Sequence, residues 1–195
     1  MIEDKLIFLD TELGGAGSDE FSLLTAYFIV LDENLQFIDD LYLYLKPDSG
    51  IYHVSAAEGT GLDINKIDLV KHDKMAITYK EGGKRLYEFL NKHSDQGKTK
   101  LTPVGHGIYG DVERICKSII SKGTWDMFAS YRKIDTQGLV QFLRLCNLFP
   151  VNVGGSLESI SKHFDIPMDK NTLHDAKIDT MLCVEVFKKL KQIYV

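Results

Sequence analysis

The sequence predicts a mixed α/β sheet flanked by helices, on two observations. Three strand-like segments rich in Ile, Leu, Tyr and Phe come first, at residues 5–10, 23–31 and 35–45. After them, helical periodicity alternates with short strands to the end of the chain. The first pattern is an antiparallel meander; the second adds parallel strands by crossover, which makes the sheet mixed.

The elements follow in order. "DEN" at 32–34 is the turn between the second and third strands. Beyond an irregular stretch through "PDSGIYHVSAAEGTG", the spacing predicts a helix over 74–93, and "LTPVGH" a short strand. A helix is predicted over 111–121, a strand at "YRKIDT", and helices over 137–148, 157–164 and 175–193, the second of these capped by Ser156. No proline-rich linker, repeat or low-complexity segment divides the chain, so one domain over 1–195 is expected.

Composition excludes several classes. With 44% hydrophobic and 26% charged residues in 22.1 kDa, the chain can bury a sizeable core, and disorder is not expected. The longest strongly apolar run, 23–31, is too short to span a bilayer, and the start "MIEDK" is acidic where a secretory signal is basic. A soluble, cytoplasmic protein is the expectation. Cys116, Cys146 and Cys183 are far apart and form no C-x-x-C pair, so they are expected to be buried core thiols, neither disulfides nor a zinc site. The net charge of -5 excludes a broadly basic coat while allowing a local basic site.

The chemistry sits in acids. Asp10 and Glu12 close the first strand, and side chains alternate with period two, so both point to one face. Two anions there repel, and one neutralises unless a cation holds both; a hard divalent metal ion resolves the conflict. Taken alone, Glu12 is better read as a solvated strand-end charge. "GHGIYGDVERI" leads through a glycine-rich turn to Asp111 at a helix start, where the helix dipole by itself accounts for an acid. "TLHDAKIDT" adds His174, Asp175 and Asp179. At about 100° per residue, positions 174 and 179 lie about 140° apart, so both face one site only if His174 sits at the frayed helix edge. Asp175 and Asp179 share a face, and spacing does not choose between them; Asp175 also fits a helix cap.

Together, D-x-E ending the first strand, an Asp opening a mid-chain helix and H-x-x-x-x-D opening the last helix resemble the DnaQ-like, or DEDDh, family of 3′-to-5′ exonucleases, over about residues 5–190. The resemblance implies a ribonuclease H-like fold and hydrolysis of DNA or RNA from a free 3′ end, releasing nucleoside 5′-monophosphates. It implies Asp10, Glu12, Asp111 and Asp179 as ligands of two Mg²⁺ or Mn²⁺ ions, with His174 as general base. By this match Asp179, not Asp175, is the ligand. Carboxylates suit such ions as hard oxygen donors, and an imidazole near the attacking water suits proton removal close to neutral pH. Some relatives are homodimers. The sequence ends 16 residues after Asp179, and a stand-alone nuclease is the expectation.

Departures from the family pattern bear on the substrate. Where relatives commonly read D-x-E-T-T-G, this chain has Leu13, Gly14 and Gly15, so base packing is expected to rest on Leu13, beside Thr11 and Gly14. Where many carry H-N-x-x-F-D, His106 is followed by Gly107, and Gly110 replaces the aromatic; Tyr109 is the compensating ring, with His106 in the same pocket. A catalytically silent nucleic-acid-binding or scaffold module is the competing reading, and it predicts lost ligands on a retained core. "GGAGS" lacks the G-K-[ST] of a phosphate loop, and a strand follows it. Trp125 and Tyr131 read as core packing, and Lys84, Arg85, Arg114, Lys117 and Lys122 as solvated charges or phosphate contacts.

Overall fold

The computed structural model describes residues 5–15, 20–169 and 173–193. Strands β1 (Leu6–Leu13), β2 (Leu23–Leu31) and β3 (Phe37–Lys46) form the expected antiparallel meander. Strands β4 (Ile77–Thr78), β5 (Thr102–Gly105) and β6 (Ile134–Asp135) add parallel pairings, giving a six-stranded sheet of order β4-β3-β2-β1-β5-β6. The "GGAGS" segment lies outside the described residues from Ala16 onward.

Helices cover both faces. α3 (Tyr79–His93), α4 (Ile108–Ser118) and α5 (Lys122–Phe128) bury Leu86, Leu90, Ile115, Trp125 and Phe128 against Ile7, Leu9, Phe28 and Val30 of the sheet. α8 (Ala176–Ile193) packs Ala176, Cys183 and Val184 on the opposite face, against Phe8, Tyr27, Ile29 and Val104. α6 (Thr136–Leu145) and α7 (Leu157–His163) close a third cluster with α8 through Val140, Leu143, Ile160 and Val186. β2 is buried along its whole length, which explains its unbroken apolar sequence: neither face meets water. Among the described residues, no helix is long and apolar enough to cross a membrane.

Several elements differ from the sequence expectation. The helix predicted over 74–93 is three elements: the end of α2 (Leu69–Met75), β4 and α3. The β-branched pair Ile77–Thr78 joins β3, and the Thr78 hydroxyl then caps α3 by accepting the Glu81 amide. α5 lies in a stretch where the sequence predicts no element, started by Ser121, whose hydroxyl accepts the Thr124 amide. The short α1 (Gly61–Ile64) interrupts the irregular stretch. Ser156 caps α7 as expected, accepting the Ser159 amide. The thiols also divide: Cys183 is buried, Cys116 half-buried and Cys146 exposed, so only Cys183 is a core thiol.

Gly83, inside α3, marks a close approach of backbones. A Cβ there would stand 2.0 Å from the Ile119 carbonyl oxygen. Gly83→Ala should therefore lower stability by about 1–3 kcal/mol despite alanine's better helix propensity. Thermal unfolding checks this; a higher melting temperature would contradict the contact.

Candidate active site

The register of β1 places the acids. Phe8 faces α8, and by alternation Asp10 and Glu12 continue that face beyond the apolar core, opposite Tyr27 and Thr25 of β2. The first turn of α8 brings Asp179 to the same place. One ligand oxygen each from Asp10, Glu12 and Asp179 lies within 4.8 Å of the others. Asp179 Oδ1 is buried without a hydrogen-bond partner, an anionic oxygen left for a cation to satisfy. That donor set of clustered carboxylates fits a hard divalent ion.

Asp111 stands beside this trio. It lies in the first turn of α4, which starts three residues earlier than the sequence suggested, and its Oδ1 accepts the Thr11 hydroxyl at 2.6 Å. Burial lifts the Asp111 carboxyl to about 7, against the lowering effect of the Thr11 hydrogen bond. Burial first, then the charges of Asp179 and Asp111, lifts Glu12 to about 8. Asp10 is raised well above the carboxylate range by burial and by Asp111, Glu12 and Asp179. Asp179 is raised by burial, opposed by His174.

These shifts set a sign for stability. The unfolded chain releases such protons near 4.5 for Glu12, while the folded chain holds that proton up to about 8. Between those values the folded state binds more protons, so metal-free stability falls as pH rises through the window. Melting in chelator at about pH 5 and about pH 8 should show a lower midpoint at the higher pH, and Mg²⁺ should recover most of the loss at pH 8. A midpoint that rises with pH in chelator would contradict the shared burial of the acids.

In the H-x-x-x-x-D segment the two aspartates have different settings, Asp179 in the acid cluster and Asp175 at the helix start. Asp175 caps α8: its Oδ1 accepts the amides of Lys177 and Ile178 at 3.0 and 3.2 Å, and its Oδ2 accepts the Tyr42 hydroxyl at 3.0 Å. His174 precedes the helix with φ 66°, and its ring is exposed. Its backbone N–H donates to Asp179 Oδ2 at 3.2 Å, fixing the imidazole's attachment point beside that acid. A cleft of about 270 Å³ lined by Glu12, Thr25, Tyr42, Tyr44, Lys66 and His174 opens next to the acids.

The remaining sequence-predicted residues fall in different settings. Leu13 is half-buried at a bulge that ends β1, and its carbonyl accepts the Asn65 side chain at 2.8 Å. Gly14 is buried within its loop: its N–H donates to Ser22 and its carbonyl accepts from Ser55. A Cβ on Gly14 would meet the His53 carbonyl at 2.6 Å, so tight loop packing requires this glycine. Thr11 points away from Asp10 and Glu12 and holds Asp111. His106 has both ring nitrogens engaged, Nδ1 with Thr136 at 2.9 Å and Nε2 with the Gly155 carbonyl at 3.0 Å. Tyr109 is 61% exposed beside Asp111. Sequence reasoning missed Tyr42 and Asp135. Tyr42 anchors the Asp175 cap, and strand register with Tyr27 and Asp10 would have placed it on the acids' face. Asp135 Oδ1 accepts the Gly107 amide at 3.0 Å and so holds the turn leading into α4; no local motif announces that contact.

The arrangement is a ribonuclease H-like α/β fold with an acidic site at the end of its central strand. Structural neighbours carry the same fold. Escherichia coli exonuclease I in complex with a dT13 oligonucleotide superposes with TM-score 0.74 at 15% identity over 97% of this chain. The zinc-bound form of the E. coli exonuclease I–single-stranded DNA complex gives 0.77 at 15% identity, also over 97%. Exonuclease I of Methylocaldum szegediense gives 0.71 at 16% identity. The chain spans about two fifths of those proteins, 41%, 41% and 40% of their lengths. No family model and no curated protein matches the sequence.

Proposed function

We propose that the protein is a metal-dependent 3′-to-5′ exonuclease acting on single-stranded nucleic acid. The observation that carries this reading is the convergence of Asp10, Glu12 and Asp179 with a buried, unpartnered Asp179 oxygen, on the fold of exonuclease I. Asp10, Glu12, Asp111 and Asp179 would hold two Mg²⁺ or Mn²⁺ ions. When bound, these supply an activated water at neutral pH and charge neutralisation at the departing 3′ oxygen.

The chain's own residues do the rest. The imidazole of His174 takes the proton of the attacking water as its oxygen bonds to phosphorus and the P–O3′ bond breaks. The departing O3′ takes a proton from solvent, so the shortened strand carries a 3′ hydroxyl and a nucleoside 5′-monophosphate leaves. Thr11 orients Asp111, and Asp175, held by Tyr42, fixes the start of α8 and with it the positions of His174 and Asp179. Leu13, half-buried at the strand end and packed at its inner side on the α3–α5 face, would offer its exposed edge to the terminal base; Gly14 and His106 hold the adjoining loop and turn, and Tyr109 presents an exposed ring there.

Single-stranded DNA and RNA, linear with a free 3′ hydroxyl or covalently closed into circles, test this reading in Mg²⁺. Linear strands should shorten from the 3′ end to 5′-monophosphates, and circles should resist. Rapid cutting of circles would point to an endonuclease, and binding without cutting to the silent module.

A further inference from the structure

Tyr131 and Trp125 have opposite fates. Trp125 is 1% exposed in the core, whereas Tyr131 is 72% exposed, with the Arg132 guanidinium 5.1 Å from its ring centroid. A second such pair lies close by in sequence: Lys133 Nζ is 5.0 Å from the ring centroid of Tyr109. Exposed rings lose nothing by stacking on a further flat group, and cations held over them cannot be neutralised by the ring.

The Tyr109–Lys133 pair borders a groove, and Tyr131 and Arg132 precede Lys133 in the chain. Tyr109, Glu113, Cys116 and Lys117 fall on one face of α4 at helical spacing, and with Lys122 and Lys133 they line about 310 Å³. Glu113 pairs with Lys117 and Asp126 with Lys122, both at the surface. Exposed ion pairs of this kind are weak and exchange readily for phosphate. Among the described residues, no carboxylate pairs with Arg132 or Lys133, so this patch is locally cationic on a chain of net charge -5. Tyr109 lies two residues before Asp111, and the run from Tyr109 to Lys117 extends about 12 Å along α4. The Asp135–Gly107 hydrogen bond ties the 131–135 segment to the start of that helix.

We infer that this stripe of Tyr109, Tyr131, Arg132 and Lys133, continuing to Lys117 and Lys122, is a binding track for the single strand leading to the acids. Cations take its phosphates and the tyrosines stack its bases. The inference deepens the nuclease reading and rests on it for the strand's direction: the 3′ end lies at Asp111 and the body of the strand runs along α4.

The test uses the full chain carrying Asp179→Asn, so that the strand is bound and not cut, with a 5′-fluorescein dT12 probe. Fluorescence anisotropy is read between about 50 and 200 mM salt. Arg132→Gln with Lys133→Gln should weaken binding about tenfold and flatten the slope of log affinity against log salt by about 1.4, or about 0.7 per cation. Tyr131→Ala should weaken binding about fivefold or more at an unchanged slope. No dT12 binding by the parent chain, or unchanged affinity in both variants, overturns the track. The nuclease reading is judged separately, on cleavage by the unmodified chain. A chain that binds through the stripe and cuts nothing keeps the track and loses the nuclease, and one that cuts while both variants bind normally does the reverse.

Discussion

Asp10→Asn and Asp179→Asn should each reduce cleavage of a single strand by about a thousandfold or more, while the folded protein becomes more heat-stable in chelator. The first effect follows from losing a ligand where several kcal/mol of charge stabilisation are concentrated, each 1.36 kcal/mol being about tenfold in rate. The second follows from geometry. In the metal-free chain Asp10, Glu12 and Asp179 crowd within 4.8 Å, and removing one charge relieves the repulsion on the others. For a chain of this length each kcal/mol so recovered is worth about 2–4 °C in melting temperature. Single-turnover cleavage and thermal unfolding in chelator read both effects on one preparation. Variants that still cut at the parental rate would remove these acids from the site.

His174 carries the next largest effect, and its backbone dictates the variant. With φ at 66°, an alanine would strain the turn, whereas asparagine tolerates the left-handed region and cannot serve as a base near neutral pH. His174→Asn should lower kcat by about 10²–10⁴ with metal affinity nearly unchanged. Asp175→Asn keeps an oxygen for the amides of Lys177 and Ile178 and for the Tyr42 hydroxyl, so it should cost little stability and leave turnover near the parent. Measuring kcat from about pH 6 to 9 with calorimetric metal titration separates the two residues. Loss of metal affinity in Asp175→Asn with full affinity in Asp179→Asn would shift the ligand by one helical turn.

Much of this was legible in the sequence where local chemistry is periodic or motif-bound. The three-strand meander, the shared face of Asp10 and Glu12, and the Ser156 cap each follow from residues close in sequence. The split helix at Ile77–Thr78 was not legible, because helical spacing runs through it and only pairing with β3 reveals the strand. The short α5 reads as a loop until Trp125 and Phe128 are seen to bury against the sheet helices. The site shows the same division. The acids announce themselves, while the Thr11–Asp111, Tyr42–Asp175 and Asp135–Gly107 contacts join residues far apart in the chain, and the exposure of Tyr131 depends on the fold around it.

On the proposed function these carboxylates act by holding divalent cations for strand cleavage. The direct measurement is Mn²⁺ titration of the parent chain and of Asp179→Asn, with bound ion and cleavage rate recorded on the same samples. The parental rate should rise with occupancy and vanish in chelator, and Asp179→Asn should lose bound ion and activity together. Undiminished cleavage in chelator, or parental Mn²⁺ binding by Asp179→Asn, would contradict that role.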